Sequence, residues 1–140
     1  MKTCTIFRAA AGSGKSFLAK CIAAQTGAVI CEADEFMVDE AGNYVFNPEK
    51  LGYCHNKCFE KFEHAIQDGK PVIISNCNIH ARDVKPYISY AEAMGYAVQE
   101  IAILRSDFEN SHNVPIDKVQ EMRESLYQSV MQTRKIVKKA

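Results

Sequence analysis

The chemistry of this chain concentrates in eight consecutive residues, Ala9-Ala10-Ala11-Gly12-Ser13-Gly14-Lys15-Ser16. They match the phosphate-loop pattern GxxxxGK(S/T) at every fixed position but the first, where Ala9 stands for glycine. Small residues let backbone N–H groups curl round phosphate oxygens, and a helix that follows turns its positive end toward the same anion. Lys15 is then placed for the β- and γ-phosphates of a nucleoside triphosphate, and the Ser16 hydroxyl for Mg²⁺. The nucleotide-binding set expected on this reading is Ala11, Gly12, Ser13, Gly14, Lys15, Ser16 and Phe17. A tight turn built merely of small residues gives no reason for Lys15 at the first turn of a helix, where the dipole disfavours a cation. The effect of Ala9 depends on its backbone: a positive φ would cost about 1 kcal/mol, and an extended one little.

A second chemical feature follows in Cys31-Glu32-Ala33-Asp34-Glu35-Phe36. A carboxylate at Asp34 can accept the proton of an attacking hydroxyl and orient it for in-line transfer. The same residue can serve as a helix N-cap or sit in a solvated acidic turn with Glu32, Glu35, Asp39 and Glu40. Position alone leaves both readings open.

The elements that must hold these residues alternate. Residues 2–8 read as a strand, 9–14 as a loop, and 15–26 as a helix ended by Gly27. A short strand at 28–32 precedes a loop with turn signals at 41–43 and 47–48. Pro48 opens a helix over 49–67, in which Leu51, Cys54, Cys58, Phe62, Ala65 and Ile66 recur at helical spacing. The apolar run 71–75 predicts a strand buried on both faces. A helix from about 82 to 94, a strand over 96–104, a polar segment at 105–113 and a last helix after Pro115 complete the chain. Such alternation predicts an α/β fold with a parallel sheet and helices on both its faces. Ligands in such sheets lie beyond the carboxyl ends of the strands, where the loop and Asp34 both fall.

Composition bounds the rest. The 140 residues are 47% hydrophobic and 24% charged, which suits one globular domain over 1–140. Lys and Arg number 17, as do Asp and Glu, so there is no overall positive field to draw in a polyanion. No run approaches the ~20 apolar residues of a membrane span, and Arg8 interrupts the start too early for a signal peptide. A cytoplasmic protein with no membrane partner is expected. Its six cysteines lie in apolar segments, as reduced core thiols do, so no disulfide-linked partner is expected. Cys54 and Cys58 share a helical face beside His55, but a structural zinc site wants four ligands, and buried free thiols are the better reading.

These pieces together resemble P-loop kinases of the polynucleotide 5′-hydroxyl kinase type and the small related ATPase-domain proteins of zeta-toxin-like and AAA-like kind. The resemblance rests on RAAAGSGKSF (8–17), ADEF (33–36), GNYVFNP (42–48), GKPVIISNCN (69–78), KPYISYAEAMGYAV (85–98) and NSHNVPIDKVQEM (110–122), in series over nearly the whole chain. It implies a three-layer α/β/α P-loop NTPase fold with strand order 2-3-1-4. It also implies transfer of the ATP γ-phosphoryl (or that of another NTP) to a hydroxyl with Mg²⁺, with Lys15 and Asp34 as the catalytic residues.

The chain departs from that family's pattern at three points. The third strand usually ends in an aspartate near Ser75 or Asn76, and here Ser75-Asn76-Cys77-Asn78 is neutral. The lid usually carries arginines, but residues 107–113 have none and Glu109 stands where one is expected. Arg105, Arg82, Arg123 and Arg8 are the candidate substitutes. A fifth strand is expected to be missing.

Two features bear on the acceptor. Lys118, Arg123, Arg134, Lys135, Lys138 and Lys139 outnumber Asp117, Glu121 and Glu124 by three, giving a modest basic face. The helix dipole alone accounts for cations in the last turns. Tyr44 and Phe46 can stack on a base or plug the core. The acceptor expected is an oligonucleotide or nucleotide. The alternatives are a small metabolite or nucleoside, or a nucleotide-binding module with little catalysis.

Overall fold

The computed structural model describes residues 1–104 and 114–139, the last eight as helical backbone. The expected lid at 107–113 and Arg105 lie outside the described residues, as do the side chains of Arg134, Lys135, Lys138 and Lys139. Four parallel strands, β1 (Thr3–Ala9), β2 (Val29–Cys31), β3 (Val72–Ile74) and β4 (Ala97–Ile103), form one sheet in the order β2-β3-β1-β4. That is the kinase-type order 2-3-1-4, in a three-layer α/β/α P-loop fold.

Each crossover follows from local sequence. Helix α1 (Lys15–Thr26) ends where Gly27 turns left-handed at φ 72°, its N–H bonding the Ala23 carbonyl. The 3₁₀ turn at Pro48–Lys50 runs directly into α2 (Leu51–Gln67), and the Asn47 side chain accepts the Glu49 N–H at its start. Helices α3 (Ala81–Ala93) and α4 (Ile116–Lys139) follow β3 and β4.

Alternation along the central strands sorts the core into two layers. Cys4, Ile6, Cys31, Val72 and Ile74 pack with Cys54, Cys58 and Phe62 of α2 and Val84, Tyr87 and Ala91 of α3. Phe7 and Ile73 face the opposite way, against Ala19, Ile22 and Ala23 of α1. Rings tighten the first layer: Phe62 and Tyr87 meet edge-on with centroids 4.9 Å apart. Val119 and Met122 of α4 pack on Ala10 and Ala11, so the last helix braces the loop that opens α1.

Candidate nucleotide site

The loop after β1 leads into a helix that begins at Lys15, and Ala9, its departure from the pattern, carries no backbone strain. Ala9 is the last residue of β1, fully buried and in register with Ile103, so its backbone is extended. Positive φ falls instead on Gly12 (76°) and Gly14 (84°), where the absence of a Cβ is needed. Gly14 is also the N-cap of α1, with no side chain capping the helix and no acidic residue in the first turn. That leaves the positive end of α1 open to an outside anion, with Lys15 as its first residue. Ser13 Oγ is buried and has no hydrogen-bond partner among the described residues. An orphaned hydroxyl inside a glycine-shaped loop at a helix N-terminus suits a bound phosphate, which would accept its proton.

A cavity of about 520 Å³ opens beyond the carboxyl ends of the strands. Lys15 and Asp34 line it together with Ser75, His55, Lys118 and Glu121. Asp34 is exposed and lies in the first turn of a short 3₁₀ helix, Ala33–Phe36, whose N-cap is Glu32. Asp34 is therefore not itself the cap. The turn is held from below: the Asn76 side chain, 8% exposed, accepts the Ala33 N–H at 2.8 Å. Asn76 also donates to Cys58 Sγ at 3.6 Å, which receives the Tyr87 hydroxyl at 3.5 Å. From outside, Lys61 pairs with Glu35 at 2.9 Å. Burial pushes the Cys58 thiol up, against the two hydrogen bonds it accepts. It stays a neutral acceptor in this network at ordinary pH.

Sequence reasoning missed several members of the site. Asn76 and Asn78 are neutral where an aspartate is usual, yet both brace the architecture. Asn78 adopts a left-handed φ of 50°, and its amide donates to the Phe7 carbonyl at 2.8 Å. The signal was available: asparagine is one of the few side chains that tolerate that backbone. Glu32, in sequence one of several acidic neighbours of Asp34, accepts the Ser16 hydroxyl at 2.9 Å. His55, Lys118 and Glu121 come from helices distant in sequence, and no local pattern marks them.

The three arginine candidates among the described residues, Arg8, Arg82 and Arg123, do not line the cavity. Arg8 is buried and turned to the other side. Its Nε donates to the Asn78 carbonyl and its Nη2 to the Ile79 carbonyl, each at 3.0 Å, and Nη2 also to Ser129 Oγ at 2.8 Å. Its guanidinium thus ties β1 to the loop after β3 and to α4. Neither Arg82 nor Arg123 lines the cavity. Tyr44 and Phe46 are 43% and 59% exposed, so they do not plug the core. Burial raises the pKa of the Tyr44 phenol, and the Asp34 charge raises it further, which brings this ring within the field of the carboxylate. Cys54 and Cys58 are buried as expected, and among the described residues all six cysteines are free thiols. No described helix is long and apolar enough to cross a membrane.

Known proteins carry the same frame. NEDD4-binding protein 2 of Homo sapiens is 34% identical over 99 residues, covering 66% of this chain. The match spans only 5% of that protein's length. Among solved structures, a Pnkp1/Rnl/Hen1 complex superposes with a TM-score of 0.58 at 18% identity, over 84% of this chain and 38% of that one. The APS kinase CysC of Mycobacterium tuberculosis gives 0.55 at 13% identity, over 92% and 96%. Those two likenesses concern the fold. The family model described as an AAA domain matches residues 5–127, most of the chain and all of the loop, the 3₁₀ turn and the strand ends that line the cavity. The chain belongs to this AAA domain family, with a P-loop kinase-like fold.

Proposed function

We propose that residues 1–140 act as one P-loop kinase domain, which moves the γ-phosphoryl group of ATP or another nucleoside triphosphate to a hydroxyl. The acceptor proposed is a nucleic acid or a nucleotide-like molecule. One observation carries the reading: Lys15, at the open end of α1, and Asp34, on its braced turn, line one cavity.

In this reading the backbone from Ala11 to Phe17 cradles the phosphates, and Lys15 holds the β- and γ-phosphates. Asp34 accepts the proton of the acceptor hydroxyl as its oxygen attacks phosphorus in line with the leaving nucleoside diphosphate. A carboxylate exposed to solvent on a turn held in place by Asn76 meets that role. Ser16 is the residue that would hold Mg²⁺, which neutralises charge on the phosphate oxygens when bound. The resemblance to polynucleotide kinases and the exposed ring of Tyr44, within the field of Asp34, support a nucleotide-like acceptor.

The test is transfer of labelled γ-phosphate to a 5′-hydroxyl oligonucleotide, with a 5′-phosphorylated oligonucleotide and free nucleosides as comparison acceptors. Lys15→Ala should abolish nucleotide binding. Asp34→Asn should keep it and lower transfer about 100-fold or more. Equal transfer by wild type and both variants would sink the proposal. A second reading, a nucleotide-binding module with little catalysis, draws on one fact: no arginine among the described residues lines the cavity. It predicts that ATP raises the melting temperature while no acceptor is phosphorylated.

A further inference from the structure

The strand ends beside the loop carry an arrangement that the kinase reading does not require. Ser16 Oγ donates its proton to Glu32 Oε1 at 2.9 Å. A hydroxyl has one proton and two lone pairs, so this bond fixes the proton on the glutamate and leaves the lone pairs for another partner. Glu32 is half-buried, and among the described residues it forms no ion pair. Among these residues its carboxylate is met by a neutral hydroxyl.

Ser75 stands across the sheet from it. Cys31 is in register with Ile74, and the Ser75 N–H bonds the Cys31 carbonyl at 3.0 Å, so Glu32 and Ser75 are the next residues on neighbouring strands. Cys31 and Ile74 both point into the layer under α2 and α3. The residues one further along therefore turn toward α1 and the phosphate loop. Ser75 is 3% exposed, lines the cavity, and its Oγ has no partner among the described residues. The Glu32 carboxylate, bonded to the Ser16 hydroxyl, and the Ser75 hydroxyl thus lie on the same side of the sheet. Oxygen donors with one uncompensated negative charge suit a hard divalent cation.

We infer that Glu32 supplies the carboxylate that anchors the nucleotide's Mg²⁺, by orienting the Ser16 lone pairs, in a chain whose third strand ends in neutral Ser75. This rests on the proposed nucleotide site, and Glu32 is a positioning residue within it. Outer partners of this kind fix the ligand's orientation and raise its basicity, and their loss costs ~10–100-fold in metal affinity.

The experiment is calorimetric titration of the full chain with ADP, in EDTA and in excess Mg²⁺. Wild type should bind ADP more tightly with the metal. Glu32→Gln should bind metal-free ADP no more weakly than wild type, and should lose about 10-fold or more of the Mg²⁺-dependent gain. Glu32→Asp, which keeps the charge, should recover part of that gain. Electron paramagnetic resonance of Mn²⁺ with ADP gives an independent reading: the bound-metal signal of wild type should weaken in E32Q. If E32Q does not fold, Glu32→Ser should show the same loss. An unchanged Mg²⁺-dependent gain in E32Q overturns the inference and leaves the kinase reading standing. No ADP binding by wild type, with or without metal, overturns both.

Discussion

At the scale of single residues, the loop separates what a motif records from what its backbone requires. The first position of the pattern calls for glycine, and this chain has Ala9 there. The structure puts that residue inside a strand, buried and paired with Ile103, and gives the left-handed turns to Gly12 and Gly14. Restoring the pattern should therefore do harm. Ala9→Gly is expected to lower stability by about 0.5–1 kcal/mol, through backbone entropy in a strand. It should leave nucleotide affinity unchanged, as thermal denaturation with and without ADP would show. Asp34 shows the other limit of local reading. Its sequence neighbours left it divided between base and cap, because capping depends on which residue takes the extended backbone. Glu32 takes it, at φ −129° and ψ 132°, and Asp34 is left facing the cavity.

At the scale of elements, strand and helix types were legible because each carries its own signal. The apolar run at 71–75 became β3, buried throughout, and the helical spacing of Cys54, Cys58, Phe62, Ala65 and Ile66 became the inner face of α2. The side chains that join elements were not legible, since their partners lie far along the chain. Arg8 reaches 71 residues to Ile79 and 121 to Ser129, so a cation read as a lid substitute proves to be a tie between β1 and α4. Asn76 reaches 43 residues back to the turn that bears Asp34. That bond yields a prediction in which stability and catalysis part from binding. Asn76→Ala leaves the Ala33 N–H without its buried acceptor, at a cost of about 1–3 kcal/mol. With the turn loosened, transfer should fall while ADP affinity holds, since the loop and Lys15 do not depend on Asn76. A calorimetric ADP titration beside a transfer assay separates the two effects. A parallel loss of affinity would place Asn76 in the nucleotide site instead.

At the scale of the whole molecule, the balanced charge conceals a core rich in weak acids. Glu32, Asp34, Glu35, Asp39 and Glu40 gather on one segment and the cations favour the last helix, so the zero net charge says little about the core. Beneath the sheet, Cys4, Cys31, Cys54 and Cys58 lie in one layer with Tyr87. Burial pushes the Cys4 and Cys31 thiols from the ordinary 9.0 up to about 12. It pushes Tyr87 upward as well. An acid whose pKa is raised in the folded state keeps its proton there after the unfolded chain has lost it. Stability from these thiols is therefore complete below pH 9 and drains away as the pH rises from 9 toward 12. Each thiol removes on the order of 1 kcal/mol per pH unit in that window. Against a total of about 5–15 kcal/mol, two such groups bring alkaline unfolding within experimental reach. The melting temperature should be nearly flat from pH 7 to 9 and fall steeply by pH 11. Cys4→Ala combined with Cys31→Ala should melt lower at pH 7, through the cavities it opens, and yet lose less between pH 9 and 11. That crossing of slopes identifies the two buried thiols as the cause, because the rest of the chain is the same in both proteins. Parallel slopes would place the alkaline sensitivity outside Cys4 and Cys31.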